Sequence, residues 1–146
     1  MEHERRIPRR YFAMYSSWVG GIVTDAAAMN VPLDDHLVHR GHGVFDTATL
    51  ADGRVYRLHA HLDRLERSAA GARVPLLYSR ERLEQIVLQT AAASGRRDGS
   101  IRYWASVGPG DFSFLPDGCV CVCRRSASPM CHSSSVIDGC ALAGLS

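Results

Sequence analysis

The sequence predicts one α+β domain with a mixed or mostly antiparallel sheet and two helices. Residues 44–50 and 99–107 are rich in the β-branched and aromatic side chains typical of strands. Asp52-Gly53 lies between two strand-like runs and predicts a hairpin. Two later segments carry apolar residues at helical spacing. A length of 146 residues favours a single domain.

The strands begin with residues 11–24, where we expect a strand that bends at Gly20-Gly21. Residues 44–50 and 54–58 form the predicted hairpin. In the predicted strand 99–107, alternation places Ile101, Tyr103 and Ala105 on one face and Arg102, Trp104 and Ser106 on the other. A further short strand is expected at 120–123.

Two helices are predicted between these strands, at 59–73 and 80–94. The first helix has an apolar stripe, and Pro75 prevents its continuation. An Asp63–Arg67 pair is expected on its exposed side. Ser79 is the expected N-cap of the second helix. The stripes consist of Leu58, Leu62, Leu65, Ala69 and Ala72 in the first helix, and of Leu83, Ile86, Val87, Thr90 and Ala91 in the second.

The two ends of the chain differ in composition from its middle. We expect residues 1–10 to be a disordered basic arm and residues 119–146 to be a divergent, poorly ordered tail rich in Cys, Ser and Gly. The domain is then residues 11–118. A net charge of +2 gives no indication of nucleic-acid binding. No apolar run is long enough for a membrane helix, and no secretory signal is evident, so a cytoplasmic or plastid location is expected.

The chain contains no lysine, since all 17 basic residues are arginine. That composition excludes a lysine Schiff base or lysine nucleophile within this chain. The five cysteines all follow residue 118, and their odd number argues against a disulfide framework. Neither these cysteines with His132 nor the group His36, His39 and His42 has a spacing that favours a metal site. A small cysteine-rich metal protein is the weakest alternative.

The segment 39–47 has the pattern of a binding turn that leads into a strand. Gly41 and Gly43 allow a positive φ or a close backbone approach. Arg40, His39 and His42 would bring a cation and two imidazoles to the start of the strand. The residues alone favour a simpler interpretation, in which the glycines make the turn and the cations face solvent.

Three motifs resemble the class IV pyridoxal-phosphate aminotransferases. The run Arg40-Gly-His-Gly-Val-Phe-Asp-Thr47 resembles the R-G-x-G-V-F-E/D-T signature of that family, and His61-Leu-Asp-Arg-Leu65 resembles its H-x-x-R-L helix. The segments around Tyr15, Asp34 and Arg102–Gly110 are similar to the plant D-amino-acid transaminase-like branch. The resemblance covers about residues 11 to 119 and corresponds to the small N-terminal domain of the family fold.

The resemblance implies roles for four residues. Arg64 matches the arginine that pairs with the phosphate of pyridoxal 5'-phosphate, whereas a solvated helix arginine is the simpler alternative. Phe45 matches a residue that lines the substrate pocket, and Arg40 and Arg102 match positions near the substrate carboxylate in some members. Core packing for Phe45 and solvation for the two arginines are the alternatives. No catalytic residue is assigned, because the family's Schiff-base lysine belongs to a larger second domain.

The resemblance implies amino-group transfer between an amino acid and a 2-oxo acid, with a homodimer as the expected assembly. We expect the chain to be a truncated product, inactive alone, and its retention of the cofactor is in doubt without the large domain. The alternative is a non-catalytic module that pairs with a full-length subunit. No nucleic acid, membrane or metal partner is expected.

Overall fold

The computed structural model describes residues 11–110, Phe112 and the strand at 140–143. Six antiparallel strands form one sheet: β1 (Met14–Ser16), β2 (Gly21–Val23), β3 (Gly43–Ala51), β4 (Arg54–Val55), β5 (Gly99–Ser106) and β6 (Cys140–Ala143). Their order across the sheet is β2-β1-β6-β5-β3-β4. Three α-helices accompany them: α1 (His36–Arg40), α2 (Leu58–Ala72) and α3 (Arg80–Ala93), with a 3₁₀ turn at Ala26–Ala28. The predicted α+β class with a mostly antiparallel sheet is confirmed.

The two longest strands, β3 and β5, pair with each other and determine the layout of the domain. Asp46 lies opposite Tyr103 and Phe45 lies opposite Trp104 across this pair. Because side chains alternate along a strand, one face of the pair carries Ala48, Ile101 and their neighbours, which are buried. The helices α2 and α3 complete the core on that face. Ile101, Tyr103 and Ala105 share this face as predicted, and all three are buried.

The helices α2 and α3 begin and end close to their predicted positions. Ser79 caps α3, since its hydroxyl accepts a hydrogen bond from the backbone N–H of Arg82. The α3 stripe is fully buried as predicted, and so is the α2 stripe as far as Ala69. Ala72 is exposed, because α2 ends there and Arg73 adopts a left-handed φ of 55°. The helix therefore ends at Ala72, before the chain reaches Pro75.

Three sequence predictions were wrong in detail. Residues 11–24 form two antiparallel strands, because the chain reverses at Gly20, whose φ is +75° and whose N–H donates to the carbonyl of Ser16. Asp63 pairs with Arg80 at 2.7 Å and thereby ties α2 to α3, so the expected Asp63–Arg67 pair is replaced. The second strand of the predicted hairpin is only Arg54–Val55, since α2 already begins at Leu58.

The strand β6 and the short helix α1 were not predicted. The strand lies between β1 and β5, where Leu142 is opposite both Tyr15 and Tyr103. Backbone pairing gives the four residues of β6 a regular structure that their composition does not indicate. The basic arm at 1–10 and the strand expected at 120–123 lie outside the described residues.

Candidate functional site

A buried carboxylate on β3 meets two basic side chains of α2. Asp46 is only 1% exposed at its side chain, yet it accepts hydrogen bonds from Nε (2.7 Å) and Nη2 (2.5 Å) of Arg64. His61 precedes Arg64 by one helical turn, so the two side chains share a face of α2. The His61 Nδ1 lies 3.1 Å from Oδ1 of Asp46 and 3.1 Å from Nη2 of Arg64. An imidazole nitrogen donates to the carboxylate or accepts from the guanidinium, according to its tautomer.

The charge of Asp46 is maintained by its hydrogen bonds. Burial alone would raise the pKa of this carboxyl group, but hydrogen bonds from Arg64, from the N–H of Thr47 and from His61 outweigh burial and lower the pKa. Asp46 is therefore ionised at neutral pH. The same pairing raises the pKa of Arg64. The pair is a bidentate ion pair with one buried and one exposed partner.

Tyr103 lies opposite Asp46 and is completely buried. Its hydroxyl has no hydrogen-bond partner within the part of the chain that the structure describes. Burial, together with the negative charge of Asp46, raises the pKa of this phenol. The hydroxyl is therefore a neutral polar group next to an ion pair, without a hydrogen-bond partner among the described residues.

The opposite face of β3 and β5 is open. Phe45 is 67% exposed there. The guanidinium carbon of Arg102 lies 5.6 Å from the centre of the Phe45 ring, a cation–π contact. Trp104 lies directly opposite Phe45 across the strand pair. An aromatic and cationic surface of this kind suits a small ligand that has both an apolar group and a carboxylate.

The segment 34–43 forms a tight junction with the end of β5. The Asp35 side chain caps α1 and accepts a hydrogen bond from the Ser106 hydroxyl at 2.9 Å. The predicted roles of the glycines are confirmed, because Gly41 has a φ of 64° and a Cβ on Gly43 would lie 2.9 Å from the Ala105 carbonyl oxygen. His36 is buried here, and burial, followed by the charge of Arg40, lowers its pKa.

The structure separates the four residues for which the resemblance implied roles. Phe45 and Arg102 meet on the open face of the sheet, whereas Arg64 bonds to Asp46 on the helix-covered face. Arg40 is the last residue of α1. Phe45 is not a core aromatic, which removes that alternative.

Sequence reasoning missed Asp46, His61 and Tyr103. A signal for Asp46 was present: in the strand 44–50 it falls on the same face as Ala48 and Leu50, and a carboxylate on a core face needs a partner. His61 and Arg64, one helical turn apart in the following helix, were the available partners. Which of them would reach the strand depends on the docking of α2.

The described residues contain no group of three or more His, Cys, Asp or Glu side chains that could hold a metal ion. Cys119, Cys121, Cys123, Cys131 and His132 lie outside the residues that the structure describes. Within the described portion, no helix is both long enough and apolar enough to cross a membrane.

Residues 43–135 match the amino-transferase class IV family. The match spans most of the chain and includes β3, α2 and β5, which carry Asp46, Arg64 and Tyr103. The chain belongs to this family.

Two curated proteins are similar in sequence. The chain is 57% identical over 112 residues to the D-amino-acid transaminase, chloroplastic, of Arabidopsis thaliana; the match covers 77% of the chain and 30% of that protein. It is 31% identical over 102 residues to a putative branched-chain-amino-acid aminotransferase of Methanocaldococcus jannaschii, with 70% and 35% covered. The chain thus spans about a third of the length of these relatives.

The fold is similar to that of the T.th. branched-chain amino acid aminotransferase complexed with N-(5'-phosphopyridoxyl)-L-glutamate. The TM-score is 0.70 at 17% sequence identity, and the likeness covers 92% of this chain and 40% of that one. At this identity the comparison supports the fold, which is that of a class IV aminotransferase N-terminal domain.

Proposed function

We propose that this chain serves as the small domain of an aminotransferase of the D-amino-acid transaminase type. In this role it acts on an amino acid and a 2-oxo acid together with a lysine-bearing domain. The observation that carries the proposal is the Arg64 guanidinium, which is held by Asp46 and yet is 59% exposed. The 57% identity to the Arabidopsis thaliana transaminase supports the choice of substrate class.

The donor set around Arg64 fits one contact to the phosphate of pyridoxal 5'-phosphate. Its Nη1 has no hydrogen-bond partner among the described residues, while Nε and Nη2 bond to Asp46. A guanidinium that is 59% exposed and has a nitrogen without a partner in the described part of the chain is a suitable phosphate ligand. When bound, this cofactor supplies an electron sink for the reaction.

The open face of the sheet would contribute part of the substrate site. Phe45 offers apolar surface, and Arg102 offers a cation for a carboxylate. Arg40, at the end of α1, would add a second cation at the rim. The chain alone has no lysine, so we propose that it does not complete a transamination by itself.

Binding of pyridoxamine 5'-phosphate tests the cofactor part of the proposal. This compound cannot form a Schiff base with the chain's terminal amine, so calorimetry on the 146-residue chain reports non-covalent contacts. We expect measurable binding that Arg64→Ala reduces at least tenfold and that pyridoxamine without the phosphate does not show. Equal binding of both compounds, or no effect of Arg64→Ala, would contradict the proposal.

The remaining predictions concern the natural protein. If the chain is a truncated product with its domain at residues 11–118, the protein captured from its source should have an intact mass near 16.0 kDa. A species about two to three times as large would show that this sequence is part of a longer enzyme. The relative named "chloroplastic" supports a plastid location, which fractionation tests.

A second candidate is a non-catalytic subunit that pairs with a full-length aminotransferase. The exposure of large apolar side chains favours it, since Trp18, Val19, Leu33 and Phe45 are each more than half exposed. Co-expression with a full-length relative should then give a mixed dimer with reduced transaminase activity. Failure to co-purify together with unchanged activity would eliminate this candidate.

A further inference from the structure

The pairing of Asp46 with Arg64 calls for an explanation other than stability. Burying a carboxylate costs several kcal/mol, and an apolar residue at such a position is often as stable or more so. The partner here is 59% exposed, so water screens the attraction. The geometry is nevertheless specific, because Asp46 engages Nε and Nη2 of the same guanidinium edge.

The carboxylate is itself fixed in place. It lies on β3 in the middle of the strand, and the Thr47 N–H and His61 Nδ1 both lie within hydrogen-bond distance of its Oδ1. An arginine side chain has several rotatable bonds and loses considerable freedom when it binds a ligand. A rigid bidentate partner removes that freedom in advance, as preorganised sites do.

We propose that Asp46 is a positioning residue for Arg64, and that it orients the guanidinium so that Nη1 is available to a phosphate group. The inference rests on the proposed function, in which Arg64 holds the cofactor phosphate. Asp46 makes no contact with the cofactor in this role. Its effect is transmitted through the two hydrogen bonds to Arg64 alone.

Charge and orientation predict opposite results when Asp46 is neutralised. If the charge of Asp46 were its only influence, Asp46→Asn would strengthen phosphate binding, because one negative charge near the ligand is removed. If orientation dominates, the same substitution weakens binding, because Arg64 must be immobilised at the time of binding. The sign of the change therefore separates the two explanations.

The experiment is calorimetric titration of the 146-residue chain with pyridoxamine 5'-phosphate. We expect Asp46→Asn to raise the Kd about three- to tenfold. Asp46→Glu keeps the charge and the bidentate acceptor and should restore binding to within about twofold. Asp52→Asn is the matched control, because Asp52 pairs with Arg97 on an exposed surface and should leave the Kd unchanged.

A second readout does not depend on the ligand. The Nε–H of Arg64 should give a slowly exchanging ¹H–¹⁵N signal in the wild-type chain, assigned by its loss in Arg64→Lys. The signal should disappear in Asp46→Asn and persist in Asp46→Glu. This measurement tests the positioning role even if Asp46→Asn does not fold, because the role requires a slowly exchanging Arg64 Nε–H signal in the wild-type chain.

The outcomes distinguish this inference from the proposed function. Unchanged or tighter binding by Asp46→Asn, or a wild-type Arg64 Nε–H that exchanges as fast as those of exposed arginines, overturns the positioning role. A wild-type chain that binds no pyridoxamine 5'-phosphate contradicts the proposed function instead. In that case the exchange measurement still shows whether Asp46 orients Arg64.

Discussion

Removal of the Tyr103 hydroxyl should stabilise the protein. The side chain is fully buried, and its hydroxyl has no hydrogen-bond partner among the described residues. An unsatisfied buried hydroxyl costs about 1–3 kcal/mol, whereas the aromatic ring packs equally well without it. We therefore expect Tyr103→Phe to raise the free energy of unfolding by about 1 kcal/mol, the lower end of that range.

Tyr15 supplies a matched control in the same core. It is also buried, but its hydroxyl lies 2.9 Å from the hydroxyl of Tyr78 and forms a hydrogen bond with it. Tyr15→Phe leaves the Tyr78 hydroxyl with one partner fewer, and should lower the free energy of unfolding by about 1 kcal/mol. The same chemical change is thus expected to have opposite signs at the two sites.

Urea unfolding followed by circular dichroism measures both changes. With a slope of about 1–3 kcal/mol per molar urea, a change of about 1 kcal/mol moves the midpoint by about 0.3–1 M. The midpoint should rise for Tyr103→Phe and fall for Tyr15→Phe. A lower midpoint for Tyr103→Phe would refute the reasoning, because it would mean that the hydroxyl has a stabilising partner.

Three further predictions concern stability. Gly43→Ala should cost about 1–3 kcal/mol, because the new Cβ would lie 2.9 Å from the Ala105 carbonyl oxygen, while Gly21→Ala, which meets nothing within 4 Å, should change the urea midpoint little. The native pKa of His36 is lowered, so the free energy of unfolding should fall as the pH drops below about 6.5. Urea titrations at about pH 7 and pH 5 measure this fall, and it should be smaller in His36→Gln. The native pKa of Asp46 is also lowered, so the ionised carboxylate contributes to the free energy of unfolding above pH 3.8. This contribution is lost as the pH falls through the native pKa. An acid-unfolding curve that is the same in Asp46→Asn as in the wild-type chain would contradict this.

The elements that the sequence predicted well are those with strong local signals. The α3 stripe from Leu83 to Ala91 and its Ser79 cap were predicted because periodicity and capping depend on neighbours within one or two turns. The glycine turn before β3 was predicted for the same reason. Local signals were ambiguous at Gly20-Gly21, because a bend and a chain reversal use the same residue types.

The sequence by itself determined the class of domain, the membership of its motifs in one family and the chemical limit set by the absence of lysine. These depend on residue identity and order along the chain. It also placed an arginine at position 64 on a helix and an aromatic at position 45 on a strand, as the structure shows.

Only the tertiary structure decided what these side chains touch. Asp46, His61 and Arg64 meet because α2 packs across β3, and Tyr103 joins them because β5 pairs with β3 in a particular register. The strand β6, with no signal in its composition, is specified by backbone pairing between β1 and β5. Such contacts depend on the packing of distant segments, and one residue of register would move Asp46 from the helix-covered face to the open one.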